Sequence, residues 1–170
     1  NPSLVGSEMC IRDRGRTVTF HGKEIPVMSM EDALAARPNV ALFSAGGSVS
    51  LEWAPRFAEA GITVVDNSSA WRMSENHKLV VPEVNGGTLN GKDMIIANPN
   101  CTTMQLVMCL KPIHDQWTIK RGVVNTYQSV TGTGQAAVAQ LEGERQGLEA
   151  QRVYPHPCLL YTSPSPRDSD

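Results

Sequence analysis

The sequence predicts an α/β fold built on a parallel sheet, and three apolar segments carry this prediction. Residues 40–43, 62–66 and 94–97 are short, largely apolar runs, the pattern of strands that are buried on both faces. Between the first two runs, apolar residues recur at helical spacing: Leu51, Ala54, Phe57 and Ala58. Gly61 closes that helix. A strand, a glycine turn, a helix and a second strand form a βαβ unit, which requires parallel strands and a right-handed crossover.

Shorter elements precede this unit. Residues 17–20 and 24–27 predict two strands around a turn at residues 21–22. Residues 29–36 predict a short helix, because Ser29 is a suitable N-cap and acidic residues occupy the first turn.

Further elements follow the βαβ unit. Residues 79–85 predict a strand that ends in a loop, and residues 123–129 predict another strand. The helix that starts near residue 101 is expected to end or kink near Pro112, since proline lacks the backbone N–H. Residues 135–151 predict an amphipathic helix that internal glycines weaken.

The two ends of the chain are predicted to be foreign to the protein. One legal DNA coding of residues 5–14, reverse-complemented and shifted in frame, encodes residues 158–166. That DNA segment resembles the adaptor used in transposase-based sequencing libraries. Residues 1–14 and 158–170 are therefore interpreted as translated adaptor and excluded from the fold prediction. An insert between adaptors is expected to be a piece of a longer gene.

Composition narrows the class of protein. Two of the four cysteines, Cys10 and Cys158, lie in the flanks, so no disulfide framework and no cysteine-type metal site is predicted. The net charge of -2 is too small to indicate a nucleic-acid or membrane partner. The interior shows no signal peptide and no apolar run of membrane-spanning length. A soluble, cytoplasmic protein is the expectation.

Cys101 is the candidate nucleophile. Asn100 is a good N-cap, which places Cys101 in the first turn of a helix that follows an apolar strand. Unpaired backbone N–H groups and the helix dipole favour the thiolate there, and the thiolate is the nucleophilic form. The alternative is an inert cysteine that packs as a small apolar residue. Cys109 is predicted to be of that second kind, buried in the middle of the same helix.

Two polar loops are candidate ligand sites, because functional sites in parallel sheets lie at the carboxyl ends of the strands. Residues 44–48 follow the first strand, and their small residues allow a ligand to approach backbone N–H groups. The same glycines suit a simple turn. Arg72 follows the second strand and suits bidentate binding of phosphate or carboxylate, although a solvated surface arginine is the more common case.

Five blocks of the sequence resemble the aspartate-semialdehyde dehydrogenase family in their order and spacing: residues 43–48, 66–73, 81–85, 98–103 and 126–132. The resemblance implies a partial Rossmann-like parallel sheet over residues 15–99, the later part of an NAD(P)-binding domain. It implies that residues 100–157 begin an α+β catalytic and dimerisation domain. The family's glycine-rich fingerprint is expected before Gly15, and its acid/base histidine beyond Pro157.

The resemblance also implies a reaction in which aspartate semialdehyde, phosphate and NADP give aspartyl phosphate and NADPH reversibly. Cys101 would attack the aldehyde, hydride transfer to the nicotinamide would leave an acyl-thioester, and phosphate would release the product. Gln128 would position the substrate and the intermediate, while Arg72 and Asn100 would hold the phosphate. The residues near the cofactor would be Ser44, Ala45, Gly46, Gly47, Thr131 and Gly132.

The resemblance implies a homodimer or homotetramer for the full-length protein. No histidine of this chain matches the family's acid/base motif, so the chain by itself is expected to be inactive. Two alternatives stay open. One is a related acyl-phosphate or acyl-CoA reductase with the same cysteine chemistry. The other is a non-catalytic nucleotide-binding domain of the same fold, in which Cys101 is structural.

Overall fold

Residues 16–147 are described by the structure, a computed structural model, so the adaptor predictions for residues 1–14 and 158–170 lie outside it. The chain divides into two units, Asn1–Ile119 and Lys120–Asp170, and each is described by itself. The predicted domain boundary between residues 99 and 100 stays a prediction.

The first described elements agree with the sequence. Strands β1 (Thr17–Phe20) and β2 (Lys23–Pro26) pair in antiparallel register. Helix α1 spans Met30–Ala35, and Ser29 is its N-cap, because its Oγ accepts a 3.1 Å hydrogen bond from the backbone N–H of Asp32.

A four-stranded parallel sheet forms the centre of the first unit, in the order β3-β4-β6-β5. Its strands are β3 (Val40–Phe43), β4 (Thr63–Asp66), β5 (Lys78–Leu79) and β6 (Ile95–Ala97). Helix α2 (Gly47–Glu59) connects β3 to its parallel neighbour β4, which confirms the predicted βαβ unit.

Helix α2 covers one face of this sheet. Trp53, Ala54 and Phe57 are buried, and the Phe57 ring meets the Phe43 ring edge-to-face at 5.3 Å between centroids. Leu51, which shares the apolar spacing that predicted this helix, is 56% exposed, and Ser50 is buried instead. Positions 50, 53, 54 and 57 form one stripe along the helix. Residue 51 lies 100° around the helix axis from residue 50, toward solvent.

The expectation that β3 is buried on both faces is also wrong. Ala41 and Phe43 are buried, whereas Val40 and Leu42 on the opposite face are exposed, Leu42 by 74%. The physical reason is that alternate side chains of a strand point to opposite faces, and α2 covers only one of them. Within residues 16–147 no element covers the second face of this edge strand.

The predicted strand at residues 79–85 ends at Leu79. Helix α3 (Pro82–Asn85) and a 3₁₀ turn (Gly86–Thr88) replace its later part. Pro82 suits the first turn of a helix, where a backbone N–H has no intrahelical partner. The Oδ1 atom of Asn85 accepts a 2.8 Å bond from the Val81 N–H and closes the turn.

Helix α4 (Cys101–Trp117) continues through Pro112 instead of ending there. One proline removes a single hydrogen bond, and the Lys111–Asp115 ion pair of 2.5 Å spans the position. The prediction that Cys109 is buried is wrong, since Cys109 is exposed. No residue of α4 is fully buried, and the side that carries Cys109 is exposed among the described residues.

The second unit contains a 3₁₀ turn (Val130–Thr133) and helix α5 (Gln135–Arg145). The predicted strand at residues 123–129 is wrong: these residues form no strand, because no segment among residues 120–147 offers a ladder of hydrogen bonds. Helix α5 ends at Arg145, before the predicted residue 151, and Gly147 two residues later has a φ of +69°, which no helix continues through. Residues 148–151 lie outside the described residues.

We expect the first unit to lose stability in acid because Asp93 becomes protonated. Lys78 Nζ lies 2.7 Å from Asp93 Oδ2, and the Asn90 N–H donates to the same oxygen at 2.7 Å. The Lys78 bond and then the Asn90 bond hold the pKa of Asp93 below its usual range. A lowered pKa in the folded state contributes stability that is present above the unfolded pKa of about 4 and is lost below it.

The measurement is the thermal unfolding midpoint of the chain between pH 7 and pH 3. Asp93→Asn should be slightly less stable than wild type at pH 7 and should lose less stability on acidification. Glu75→Gln, at an exposed carboxylate, is the control and should behave as wild type. Equal acid sensitivity in wild type and Asp93→Asn would contradict the prediction.

Candidate active site at the carboxyl edge of the sheet

Three polar side chains follow three neighbouring parallel strands and form a row at one edge of the sheet. Ser44 follows β3, Asn67 follows β4 and Asn98 follows β6. Asn98 Nδ2 donates to Asn67 Oδ1 at 2.8 Å, and Asn67 Nδ2 donates to Ser44 Oγ at 3.5 Å. These residues are called the polar row below. Because carboxyl ends of parallel strands share one edge, the row lies where such sheets bind ligands.

Arg72 is bound to the backbone of the polar row. Its Nε donates to the carbonyl oxygen of Asn98 and its Nη2 donates to that of Asn67, both at 2.9 Å. Arg72 is half-buried and hydrogen-bonded, unlike the solvated surface arginine that the sequence left open. A guanidinium has five N–H donors, and these two bonds leave three without a partner among residues 16–147. They suit an anion with two or more oxygens.

A buried carboxylate fixes the loop that carries Arg72. Asp66, fully buried at the end of β4, accepts bonds from the N–H of Ser68 at 3.1 Å and from its Oγ at 2.6 Å. The Oγ of Ser68 accepts in turn from the Ala70 N–H at 3.1 Å. The chain therefore leaves β4 in a defined conformation, and Arg72 starts from a fixed backbone.

Asn100 caps helix α4 as predicted. Its Oδ1 accepts bonds from the backbone N–H of Thr102 at 3.0 Å and from the Thr102 hydroxyl at 2.6 Å. Cys101 is the first residue of the 17-residue helix, is exposed, and its Sγ lies 3.9 Å from Asn100 Oδ1. The thiol thus stands at a helix start, open to reagents, on the connection that carries Asn98 of the polar row.

The glycine turn after β3 fits a phosphate-bearing cofactor. Gly46 has φ +95°, a conformation that favours glycine, and no side chain among the described residues caps helix α2. A Cβ at Gly46 or Gly47 would meet no other described atom within 4 Å, so the space beside this turn is open. Open space and uncapped N–H groups at the start of a 13-residue helix suit the pyrophosphate of a dinucleotide.

The remaining predicted site residues lie in the second unit. Ser129 caps the 3₁₀ turn, since its Oγ accepts a 3.3 Å bond from the Thr131 N–H. Gln128, Thr131 and Gly132 are exposed within that unit. Their roles toward substrate and cofactor stay predictions.

The structure thus brings Ser44, Arg72 and the Asn98–Cys101 connection to one edge of the first unit. Sequence reasoning assigned no role to Asn67 and Asn98, although each is the first residue after a parallel strand, and that position was the available signal. It also assigned no role to Ser50, because a serine within a predicted helix does not by itself indicate a function.

Residues 16–147 include no group of three His, Cys, Asp or Glu side chains that could hold a metal ion. None of the helices in that range combines the length and apolar character needed to cross a membrane.

Fold and site together define an α/β nucleotide-binding protein with a candidate cysteine nucleophile. A family model, "Semialdehyde dehydrogenase, NAD binding domain", matches residues 4–91. The chain therefore belongs to the semialdehyde dehydrogenase family.

Relatives within this family are similar over most of the chain. An aspartate-semialdehyde dehydrogenase from Aquifex aeolicus is 51% identical, over 90% of this chain and 48% of the relative. The crystal structure of aspartate semialdehyde dehydrogenase II from Vibrio cholerae is 42% identical with a TM-score of 0.68, over 85% of this chain and 45% of that one. The crystal structure of the same enzyme in complex with ASA is 46% identical with a TM-score of 0.69, over 78% of this chain and 43% of that one.

The chain thus spans about half the length of the relatives it matches. The shared structure confirms the α/β, Rossmann-like fold that the sequence predicts.

Proposed function

We propose that this chain is part of an aspartate-semialdehyde dehydrogenase, which converts aspartyl phosphate to aspartate semialdehyde reversibly in the biosynthesis of lysine, threonine and methionine. The observation that carries the proposal is the position of Cys101, exposed at the start of α4, on the same connection as Asn98, whose carbonyl binds Arg72. The names of the similar proteins support the same substrate.

Cys101 and Arg72 divide the chemistry between them. In the direction of reduction, the Cys101 thiolate attacks the carbonyl carbon of aspartyl phosphate. A carbon–sulfur bond forms, the bond from carbon to the phosphate oxygen breaks, and inorganic phosphate leaves. The N–H groups of Arg72 that have no partner among residues 16–147 are proposed to hold the phosphate together with the Asn100 amide, and Gln128 is proposed to orient the acyl group.

A nicotinamide cofactor, proposed to be NADP, supplies or accepts the hydride when it is bound. The open turn at Gly46 and Gly47 would hold its phosphates through backbone N–H groups, with Ser44 and Ala45 beside them. Thr131 and Gly132 are proposed to line the cofactor as well.

The acyl-transfer half of the reaction needs no cofactor, so it tests the proposal on the 170-residue chain. Aspartyl phosphate should add one aspartyl group to the Cys101 peptide, detected by mass spectrometry, and release one phosphate. Cys109 is the internal control, because it is an exposed cysteine of the same helix. Faster acylation by acetyl phosphate or acetyl-CoA would favour a related reductase. Equal, slow modification of Cys101 and Cys109 would favour a non-catalytic domain.

Arg72→Lys should weaken this half-reaction selectively. Lysine keeps the charge but loses the planar fork, so the aspartyl phosphate concentration for half-maximal acylation should rise by about tenfold. Arg37→Lys is the matched control, because Arg37 follows α1 at the opposite, amino-terminal side of β3. Unchanged acylation in Arg72→Lys would remove Arg72 from the proposed site.

Complete turnover is not expected from the chain alone, because none of its four histidines matches the family's acid/base motif. The full-length protein is proposed to be a cytoplasmic homodimer or homotetramer.

A further inference from the structure

We propose that Ser50 and Trp71 form a positioning pair that sets Arg72 for binding the phosphate of the substrate. This inference rests on the proposed function and adds two residues that act through Arg72 without touching the substrate themselves. Trp71 Nε1 donates to Ser50 Oγ at 2.7 Å, although the residues are 21 positions apart. Ser50 is 1% exposed.

The Trp71 ring is held on several sides. It packs against the buried core beside α2, and the His77 ring lies 4.6 Å away with a tilt of 56°. His77 is fixed in turn by a 2.7 Å bond between its Nδ1 and Ser74 Oγ. The indole can therefore serve as a rigid anchor for the backbone next to it.

Arg72 follows Trp71 directly, and the loop leaves the core immediately afterwards. Met73, the next residue, is 93% exposed. The Arg72 fork must reach two carbonyl groups at 2.9 Å each, so a small shift of its backbone would misalign both bonds. Trp71 is the neighbouring point at which the backbone is tied to the core.

Ser50 also connects this anchor to the glycine turn. Its backbone N–H donates to the Gly46 carbonyl oxygen at 3.2 Å, while its hydroxyl accepts from Trp71. One buried residue of α2 therefore fixes the spacing between the proposed cofactor turn and the loop that presents Arg72.

The experiment compares three variants with wild type: Ser50→Ala, Trp71→Phe and the double variant. Each single change leaves one polar group of this part-buried hydrogen bond without its partner, whereas the double change removes both groups, so the double variant should recover part of the lost thermal stability. The positioning role predicts a different pattern for function. The aspartyl phosphate concentration for half-maximal acylation of Cys101 should rise about three- to tenfold in all three variants, including the stabilised double variant.

Two controls separate positioning from general damage. Ser29→Ala removes the N-cap of α1 and should lower stability without changing acylation. Labelling of Cys101 by iodoacetamide, which needs no phosphate site, should be unchanged in every variant.

The outcomes are distinguishable. The positioning role is overturned if the double variant recovers both its stability and the wild-type dependence of acylation on aspartyl phosphate concentration. It is also overturned if all three variants are acylated as wild type is. Absence of acylation in wild type overturns the proposed function, and the positioning role with it.

Discussion

Replacing Cys101 with serine is expected to abolish acylation of the chain by aspartyl phosphate. A serine hydroxyl at the same helix start has no general base in the first unit's described site and is a far weaker nucleophile than a thiolate. The rate should fall by at least about a thousandfold, as is common when a nucleophile is removed. The measurement is the rate of phosphate release, together with the mass of the peptide that contains residue 101.

Cys109→Ser is the matched control for this prediction. Both cysteines belong to α4 and both are exposed, but only Cys101 lies at the start of the helix beside Asn100. Cys109→Ser should acylate at the wild-type rate. If Cys101→Ser released phosphate as fast as Cys109→Ser, the proposed nucleophile would be wrong.

Replacing Phe57 with alanine is expected to have the largest effect on stability. Phe57 is 0% exposed and is the largest fully buried side chain among residues 16–147. It packs edge-to-face on Phe43 of β3, so its removal leaves a cavity between α2 and the sheet. The free energy of unfolding should fall by about 3–5 kcal/mol, which chemical denaturation at equilibrium would measure.

Leu51→Ala provides the control on the same helix. Because Leu51 is mostly exposed, its truncation should change the free energy of unfolding by no more than about 0.5 kcal/mol. Similar losses in Phe57→Ala and Leu51→Ala would mean that α2 packs on the sheet with a different face from the one described.

Sequence alone predicted the features that depend on neighbouring residues. The N-cap of Ser29 on α1 and that of Asn100 on α4 are both present, because a cap is a contact over two or three positions. The βαβ unit was also predictable, since its strands and its glycine turn appear as runs of residue types. The family was predicted from five short sequence blocks that occur in the order and spacing typical of the family. The family model and the similar proteins agree with that prediction.

Predictions that depended on distant partners were less successful. Residues 123–129 have the composition of a strand, but a strand forms only where another segment offers hydrogen bonds. Cys109 lies among apolar residues of α4, yet burial requires a surface that covers that side of the helix. The local composition of a segment shows neither whether a partner strand is present nor whether another surface covers the helix.

The chain's own sequence therefore determined the fold class, the helix start that carries Cys101 and the family. Only the tertiary structure decided that Ser50 is buried and Leu51 exposed, because the direction in which α2 packs depends on the sheet beneath it. Likewise, only the structure decided that Arg72 binds the carbonyl groups of Asn67 and Asn98. Those carbonyls are up to 26 residues away in sequence and become neighbours only when β4 and β6 pair.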